Sequence, residues 1–261
     1  MTLDFFKYQG TGNDFVILDN RLGQFPKENQ KLIAHLCHRN FGIGADGLIL
    51  LENDDHSDFR MVYFNADGNE STMCGNGGRC IVAFAQHLGI FDQQTTFNAI
   101  DGLHHATMTD GIVSLQMIDV AQVEIHTDNW FVNTGSPHDV RLVKDLHSYD
   151  VYTEGKQIRN SVYGKEGSNV NFVEQLNDDT FKVRTYERGV ENETLACGTG
   201  VTAVALAMYT GNYTQSQTVK LPVQGGQLEV SFKATPNGFT DIFLTGPAQQ
   251  VFQGTIKAAD S

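Results

Sequence analysis

Apolar and polar positions alternate with a period of two over residues 58–64 (Asp-Phe-Arg-Met-Val-Tyr-Phe), the pattern of a strand with one buried face. Residues 5–18 read as strand, turn, strand, with Gly10-Thr11-Gly12-Asn13-Asp14 as the turn. In residues 28–39 the apolar positions Leu32, Ile33, Leu36 and Cys37 have the i, i+3, i+4 spacing of a helix. The loop Gly42-Ile43-Gly44-Ala45-Asp46-Gly47 precedes a short apolar strand, Leu48-Ile49-Leu50-Leu51. Residues 95–117 form short strands punctuated by two hairpin signals, Asp101-Gly102 and Asp110-Gly111. Residues 120–127 read as a crossover. Beyond them the plan recurs, with strand and turn over 130–140, a helix near 143–149 and a loop over 164–169. A strand over 181–187, further strands from 219 to 243 and a last strand at 251–256 follow. Two runs of small and apolar residues without a polar face, 78–85 and 201–207, read as buried helices.

Each of those two helices is entered through the same short motif. Met73-Cys74-Gly75-Asn76-Gly77 opens the first, predicted to stop at Gly89; Ala196-Cys197-Gly198-Thr199-Gly200 opens the second, predicted to end near Gly211. The two cysteines lie 123 positions apart, and the offset recurs. Thr11-Gly12-Asn13 maps onto Thr134-Gly135-Ser136, and Gly44-Ala45-Asp46 onto Gly167-Ser168-Asn169. At offset 122, residues 59–65 parallel 181–187, with one extra residue in Gly189-Val190-Glu191-Asn192-Glu193 absorbing the difference. Matches in order at nearly one spacing predict two homologous halves related by a pseudo-twofold axis. The expected class is α+β: each half a barrel-like, mostly antiparallel sheet around a central helix, with the functional site in the cleft between the halves. The expected domains are 1–119, completed by a C-terminal strand over 249–261, and 120–248.

Composition narrows the function. The chain of 261 residues is 40% hydrophobic and 19% charged, enough apolar material for a full core. A formal net charge of −13 argues against nucleic acid and anionic membrane as partners. No signal-peptide pattern or membrane-length apolar run is present, and Cys37, Cys74, Cys80 and Cys197 match neither a disulfide scaffold nor a zinc site. The expectation is a cytoplasmic protein with reduced thiols and no metal.

A thiol at a helix N-terminus sits among free N–H groups and positive partial charge, which bind an anion and lower the thiol pKa. Two such thiols suit the inversion of a carbon acid. One takes the α-proton and the other returns a proton from the opposite side, while the helix termini stabilise the charge that develops on an α-carboxylate. The pair works as one thiolate and one thiol. A thiol–disulfide oxidoreductase is disfavoured because no C-x-x-C occurs; a non-catalytic amino-acid-binding protein is separated from an enzyme by turnover. Cys37 and Cys80 read as small packing residues. His104 and His105 are adjacent, and adjacent residues on a strand point to opposite faces, so a loop or surface role is expected of them.

Lys7-Tyr8-Gln9-Gly10-Thr11-Gly12-Asn13-Asp14-Phe15, Gly44-Ala45-Asp46-Gly47, Phe64-Asn65-Ala66-Asp67-Gly68, the two cysteine motifs and Tyr186-Glu187-Arg188-Gly189 resemble the motifs of the diaminopimelate epimerases, in family order over nearly the whole chain. Proline racemases share the cysteine pair and the fold, and a racemase of that kind is the alternative; their first motif usually carries His where this chain has Asn76. The resemblance implies a cofactor-independent epimerase that interconverts LL- and meso-2,6-diaminopimelate for lysine and cell-wall synthesis, usually as a homodimer. It implies catalytic roles for Cys74 and Cys197, with Cys197 the proton acceptor and Cys74 the donor from the LL isomer. Gly75, Asn76, Gly198 and Thr199 match the residues that hold the reacting carboxylate. Asn13, Asn65, Asn169, Glu187 and Arg188 match the other substrate contacts, and His138 and Glu187 match residues that tune the thiols. Two departures stand out: Ser136 where the family often has Asn, and Gly47 where some members have Gln.

Overall fold

The computed structural model describes residues 1–257. Its backbone divides into two compact units, Met1–Leu115 together with the C-terminal segment that begins at Pro247, and Gln116–Gly246. The first unit contains β1 (Thr2–Gly10), β2 (Asn13–Asp19), α1 (Gln30–Cys37), β3 (Gly47–Glu52), β4 (Phe59–Asn65), β5 (Glu70–Ser71), α2 (Gly75–His87), β6 (Gln94–Ala99), β7 (Gly102–Thr109) and β8 (Ile112–Gln116). The second contains β9 (Val123–Ile125), β10 (Trp130–Asn133), β11 (Pro137–Leu142), α3 (Val151–Ser161), β12 (Asn169–Gln175), β13 (Phe181–Glu187), β14 (Asn192–Thr194), α4 (Gly198–Thr210), β15 (Thr218–Val223), β16 (Gly226–Thr235) and β17 (Gly238–Pro247). A final strand, β18 (Gln249–Lys257), pairs antiparallel with β1 and so belongs to the first unit. Of the strand expected over 249–261, residues 258–261 lie outside the described residues.

In the first unit the strand order is β18-β1-β2-β3-β4-β6-β7-β8, with β5 against β4. Most pairs are antiparallel, but β2 and β3 run parallel, as do β4 and β6. Alternate residues divide the sheet between two helices. Val16, Leu18, Leu48, Leu50, Val62 and Phe64 form one core with Leu32, Ile33, Leu36 and Cys37 of α1. The other face turns Ile49 and Met61 toward Gly77 of α2. Strand β3 is therefore buried on both faces, which is why it reads as an unbroken apolar run. Helix α2 is buried from Gly75 to Ala85, so its sequence has no polar face to show.

The second unit repeats the plan. Strands β11 and β12 pair parallel, β12 and β13 antiparallel, and β14 adds to β13, as β2, β3, β4 and β5 do in the first unit. Helix α4 is likewise buried, with Val201, Ala203, Val204, Ala205 and Leu206 at zero exposure. Strand β15 pairs β16 and β16 pairs β17. Gly12 and Gly135, an offset of 123, both have positive φ (88° and 98°), the left-handed conformation that favours glycine at these turns.

The registers refine the internal alignment. Phe15 sits opposite Gly47 and His138 opposite Asn169; Ile49 opposite Tyr63 and Asn171 opposite Thr185. Taking Phe15 with His138, the equivalents are Gly47 with Asn169, Ile49 with Asn171, Tyr63 with Thr185 and Asn65 with Glu187. The expected match of Asp46 to Asn169 is thus one residue out: the loop leading from Gly44 into β3 is one residue longer than its counterpart after Gly167.

The helix expected near 143–149 is absent. That stretch is a turn, with Asp145 at a φ of 52° and Leu146 buried, and the helix starts after Asp150, whose side chain accepts the Thr153 N–H. Val143, Leu146 and Tyr149 do pack inward, against Val151, Val170, Phe172 and Tyr186, but from a turn. Helix α3 buries only Val151 and Gly155, so it offers almost no apolar periodicity to read. Strand β12 goes unforeseen, and residues 120–127 hold strand β9 and the bridge Val120–Phe239 where a plain crossover is expected. No helix among the described residues is long and apolar enough to cross a membrane.

Candidate active site

In the first unit Cys74 is the N-cap of α2, in extended conformation, and its Sγ accepts the Gly77 N–H at 3.2 Å. The first turn, Gly75-Asn76-Gly77-Gly78, is buried. A Cβ at Gly77 would come within 3.1 Å of Cys74 Sγ, and one at Gly78 within 2.7 Å of a Leu115 methyl. Glycine here lets the backbone N–H groups stay close to the thiol.

Asn76 is held from both ends. Its Oδ1 accepts from Arg79 Nη2 at 3.1 Å, and its Nδ2 donates to Asn13 Oδ1 at 3.3 Å. Asn13 Nδ2 donates in turn to Asp46 Oδ2 at 2.6 Å. Asp46 and Asp14 share Arg39, and Asp14 also pairs with the buried Lys7 at 2.7 Å. Burial pulls the Asp14 carboxyl up, but Arg39 and Lys7 outweigh it and hold it down at about 2. Lys7 Nζ also donates to the Gly44 carbonyl.

Arg79 is fully buried and meets only neutral oxygens: Gly75 O at 3.3 Å, Thr11 Oγ1 at 3.2 Å, Asn76 Oδ1 and Pro247 O at 3.4 Å. No carboxylate pairs with it among the described residues. Burial lowers its pKa to about 10, and the neighbouring Cys80 and Cys74 side chains only partly oppose that shift. Asn65, at the end of β4, is exposed and near neither Asn13 nor Asn76 by any hydrogen bond among the described residues.

In the second unit Cys197 caps α4 and is buried at 8% exposure. Its Sγ lies 3.5 Å from Thr199 Oγ1, which lies 3.0 Å from His138 Nε2. The Thr199 carbonyl accepts from Thr134 Oγ1 at 2.9 Å. His138 is fully buried, and burial, then the nearby Arg188 guanidinium, push its pKa down to about 3. Asn169 donates to Ser136 Oγ at 2.7 Å and to Pro137 O at 3.1 Å, while its Oδ1 accepts the Arg188 N–H at 2.9 Å. Glu187 Oε2 accepts from Thr194 Oγ1 at 2.9 Å, and the exposed Arg188 donates to Glu166 O.

Cys74, Gly75, Asn76 and Asn13 thus gather at one helix N-terminus, and Cys197, Gly198, Thr199, His138, Asn169 and Arg188 around another. Ser136 is shorter than Asn yet serves Asn169 directly. At Gly47, a Cβ would lie 2.5 Å from the Tyr63 ring and 2.6 Å from the Phe64 carbonyl; the ring occupies the room a longer side chain would need. The loop or surface role expected of the His104–His105 pair holds only for the exposure of His105: both lie in β7, and His104 is buried against Phe97 and Asp101 because alternate strand residues face the core.

Sequence reasoning missed Arg79, Asn171 and Thr185. Two of them carry a signal of the same kind, a polar residue inside an apolar run: Arg79 between Gly78 and Cys80 and Asn171 between Val170 and Phe172; Thr185, between Arg184 and Tyr186, carries none. A buried polar group without partners is costly, so its presence implies a built network.

Comparison with known proteins agrees with these motifs. A family model described as diaminopimelate epimerase matches residues 5–119 and 130–251. A diaminopimelate epimerase of Flavobacterium psychrophilum is 60% identical over 253 residues, covering 96% of this chain and 99% of that one. Another from Chlorobaculum tepidum is 44% identical over 95% of this chain and 98% of its own length. Among solved structures, a Bacillus anthracis phenazine biosynthesis protein of the PhzF family has the same fold, with a TM-score of 0.79 at 14% identity over 98% of this chain and 99% of that one. The chain belongs to the diaminopimelate epimerase family.

Proposed function

We propose that this chain interconverts LL- and meso-2,6-diaminopimelate by a two-base mechanism without a cofactor, in lysine and peptidoglycan precursor synthesis. Cys197 and Cys74 are the bases. The observation that carries the reading is the pair of thiols at the N-termini of two buried, glycine-opened helices, one in each unit. We read the two units as the paired epimerase domains. The chemistry requires the thiols to address opposite faces of one α-carbon. From the LL isomer, Cys197 as thiolate takes the α-proton and Cys74 as thiol delivers a proton to the other face; the meso isomer reverses the roles. The N–H groups of Gly75, Asn76, Gly198 and Thr199 receive the α-carboxylate, where charge builds as the proton leaves.

Asn13, Asn65 and Asn169 supply directional hydrogen bonds. Glu187 takes the ammonium group, and Arg188 forks onto the distal carboxylate. His138 is neutral and acts on the thiol of its own unit through Thr199. The chemistry needs both thiols reduced, which fits a cytoplasmic enzyme. We read it as a homodimer, because β18 ends its sheet and exposes Val251 and Phe252.

Proton NMR of LL-diaminopimelate with the reduced protein in deuterated water tests the reading. Loss of the α-proton signal together with growth of the meso isomer is expected, and neither in Cys74→Ala or Cys197→Ala of normal circular dichroism. Near-wild-type turnover in either variant would sink the two-base assignment, and no exchange in the wild type would sink the substrate.

A further inference from the structure

The polar residues beneath Cys197 fix one another in a definite sense. The Asp139 backbone carbonyl can only accept, so the Asn171 atom 3.0 Å from it is Nδ2. The other end of that amide, Oδ1, accepts the Thr185 hydroxyl at 2.9 Å. The Asn171 NH2 group therefore has its second hydrogen for His138 Nδ1, 3.2 Å away, and Nδ1 is an acceptor. Asn171 and His138 are both at zero exposure, and the ring is neutral. A neutral imidazole has one N–H, and it falls on Nε2, which donates to Thr199 Oγ1 at 3.0 Å and more weakly to Ser136 Oγ at 3.4 Å. The Thr199 hydrogen is then turned away from His138. Apart from His138, that hydroxyl has one partner among the described residues, Cys197 Sγ at 3.5 Å.

We propose that Asn171 is a positioning residue for the second thiol: by imposing the Nε2–H tautomer on His138 it aims the Thr199 hydroxyl at Cys197 as a donor. A donated O–H stabilises the thiolate over the thiol, which suits Cys197 to the role of base. The inference rests on the reading of Cys197 as a base. The relay is particular to this unit. The equivalents of His138, Asn171 and Thr185 by register are Phe15, Ile49 and Tyr63, and the position of Thr199 is Asn76, so nothing in the common scaffold demands it. The two thiols are thereby unequal: Cys74 stands over apolar side chains beside a buried arginine, Cys197 over a chain of oriented hydrogen bonds.

Long-range nitrogen–proton correlation spectra of the whole chain, with the His138 ring assigned by its loss in His138→Gln, read the tautomer directly. The Nε2–H form is expected, unchanged from pH 5 to pH 9. An Nδ1–H or doubly protonated ring overturns the proposal. In Cys74→Ala protein, the rate of Cys197 alkylation by iodoacetamide as a function of pH reads the thiolate. Thr199→Val is expected to lower that rate at neutral pH about tenfold, the effect of one hydrogen bond to a charged group, and Thr199→Ser to keep it within about twofold, since the hydroxyl remains. Equal rates in Thr199→Val and the parent overturn the proposal. Asn171→Asp is expected to draw the proton to Nδ1 and slow alkylation as Thr199→Val does; an Nε2–H ring with the parent alkylation rate in that variant overturns the role of Asn171. None of these readouts uses diaminopimelate, so a failure of the substrate assignment shows separately, in the NMR exchange experiment.

Discussion

Arg79 Nη2 donates to Asn76 Oδ1 at 3.1 Å within the first turns of one helix, and that bond decides which way the Asn76 amide faces. With Oδ1 committed to the guanidinium, Nδ2 turns to Asn13. Arg79→Lys keeps the charge but loses the fork that also spans Thr11 and Gly75. A reorientation of this order costs about 10²-fold in turnover. The expected result is a drop in kcat/KM of about that size with an unchanged far-ultraviolet circular dichroism spectrum, measured by steady-state epimerisation.

Gly47 has no room for a side chain. A methyl group there would press on the Tyr63 ring and on the Phe64 carbonyl, 2.5 and 2.6 Å away. The ring can shift but the carbonyl belongs to the β3–β4 ladder. Gly47→Ala is therefore expected to destabilise the chain by about 1–3 kcal/mol, seen as a lower urea midpoint. Tyr63→Ala in the same chain should recover only part of that loss, because the backbone contact persists.

The buried, neutral His138 couples stability to pH. Its folded pKa is about 3 against an ordinary 6.5. Below 6.5 the unfolded chain takes up a proton that the folded chain refuses. The contribution is thus fully present above 6.5 and is lost as pH falls from 6.5 toward 3, by at most about 1.4 kcal/mol per pH unit. Asp14 has the same sign lower down: its stabilisation is present above 3.8 and lost as pH falls through about 2. Urea denaturation from pH 7.5 to pH 5 should show a declining midpoint, and His138→Gln should decline less over the same range.

Helix α3 depends on its cap and on one glycine. Asp150 accepts the Thr153 N–H at 3.1 Å, and Asp150→Ala should cost about 1 kcal/mol. Gly155 lies where a Cβ would come 2.4 Å from Tyr186 Cβ, next to Glu187 and Arg188. Gly155→Ala should cost about 1–3 kcal/mol and also raise KM, by pushing the strand end that carries those two residues. Asp150→Ala should leave KM unchanged, so the pair separates helix stability from site geometry.

Much of this protein is legible in its sequence, for reasons that are local. The strand over 58–64 follows from alternation, the two buried helices from their unbroken small and apolar runs, and both cysteine caps from the glycines behind them. The duplication is visible because each half meets the same backbone demands, such as positive φ at Gly12 and Gly135. Helix α3 is not legible, since Leu146 satisfies the apolar spacing from a turn and α3 itself buries too little to leave a pattern. Strand register is set by pairing partners far away in sequence. Only the register places Asn171 beside Thr185 and brings it under His138, and only burial makes their mutual hydrogen bonds obligatory. The sequence by itself therefore determined the two thiols and their helices, which are contiguous motifs. The orientation of the polar groups around those thiols was decided by tertiary structure, because it depends on which strands lie side by side and on the exclusion of water between them.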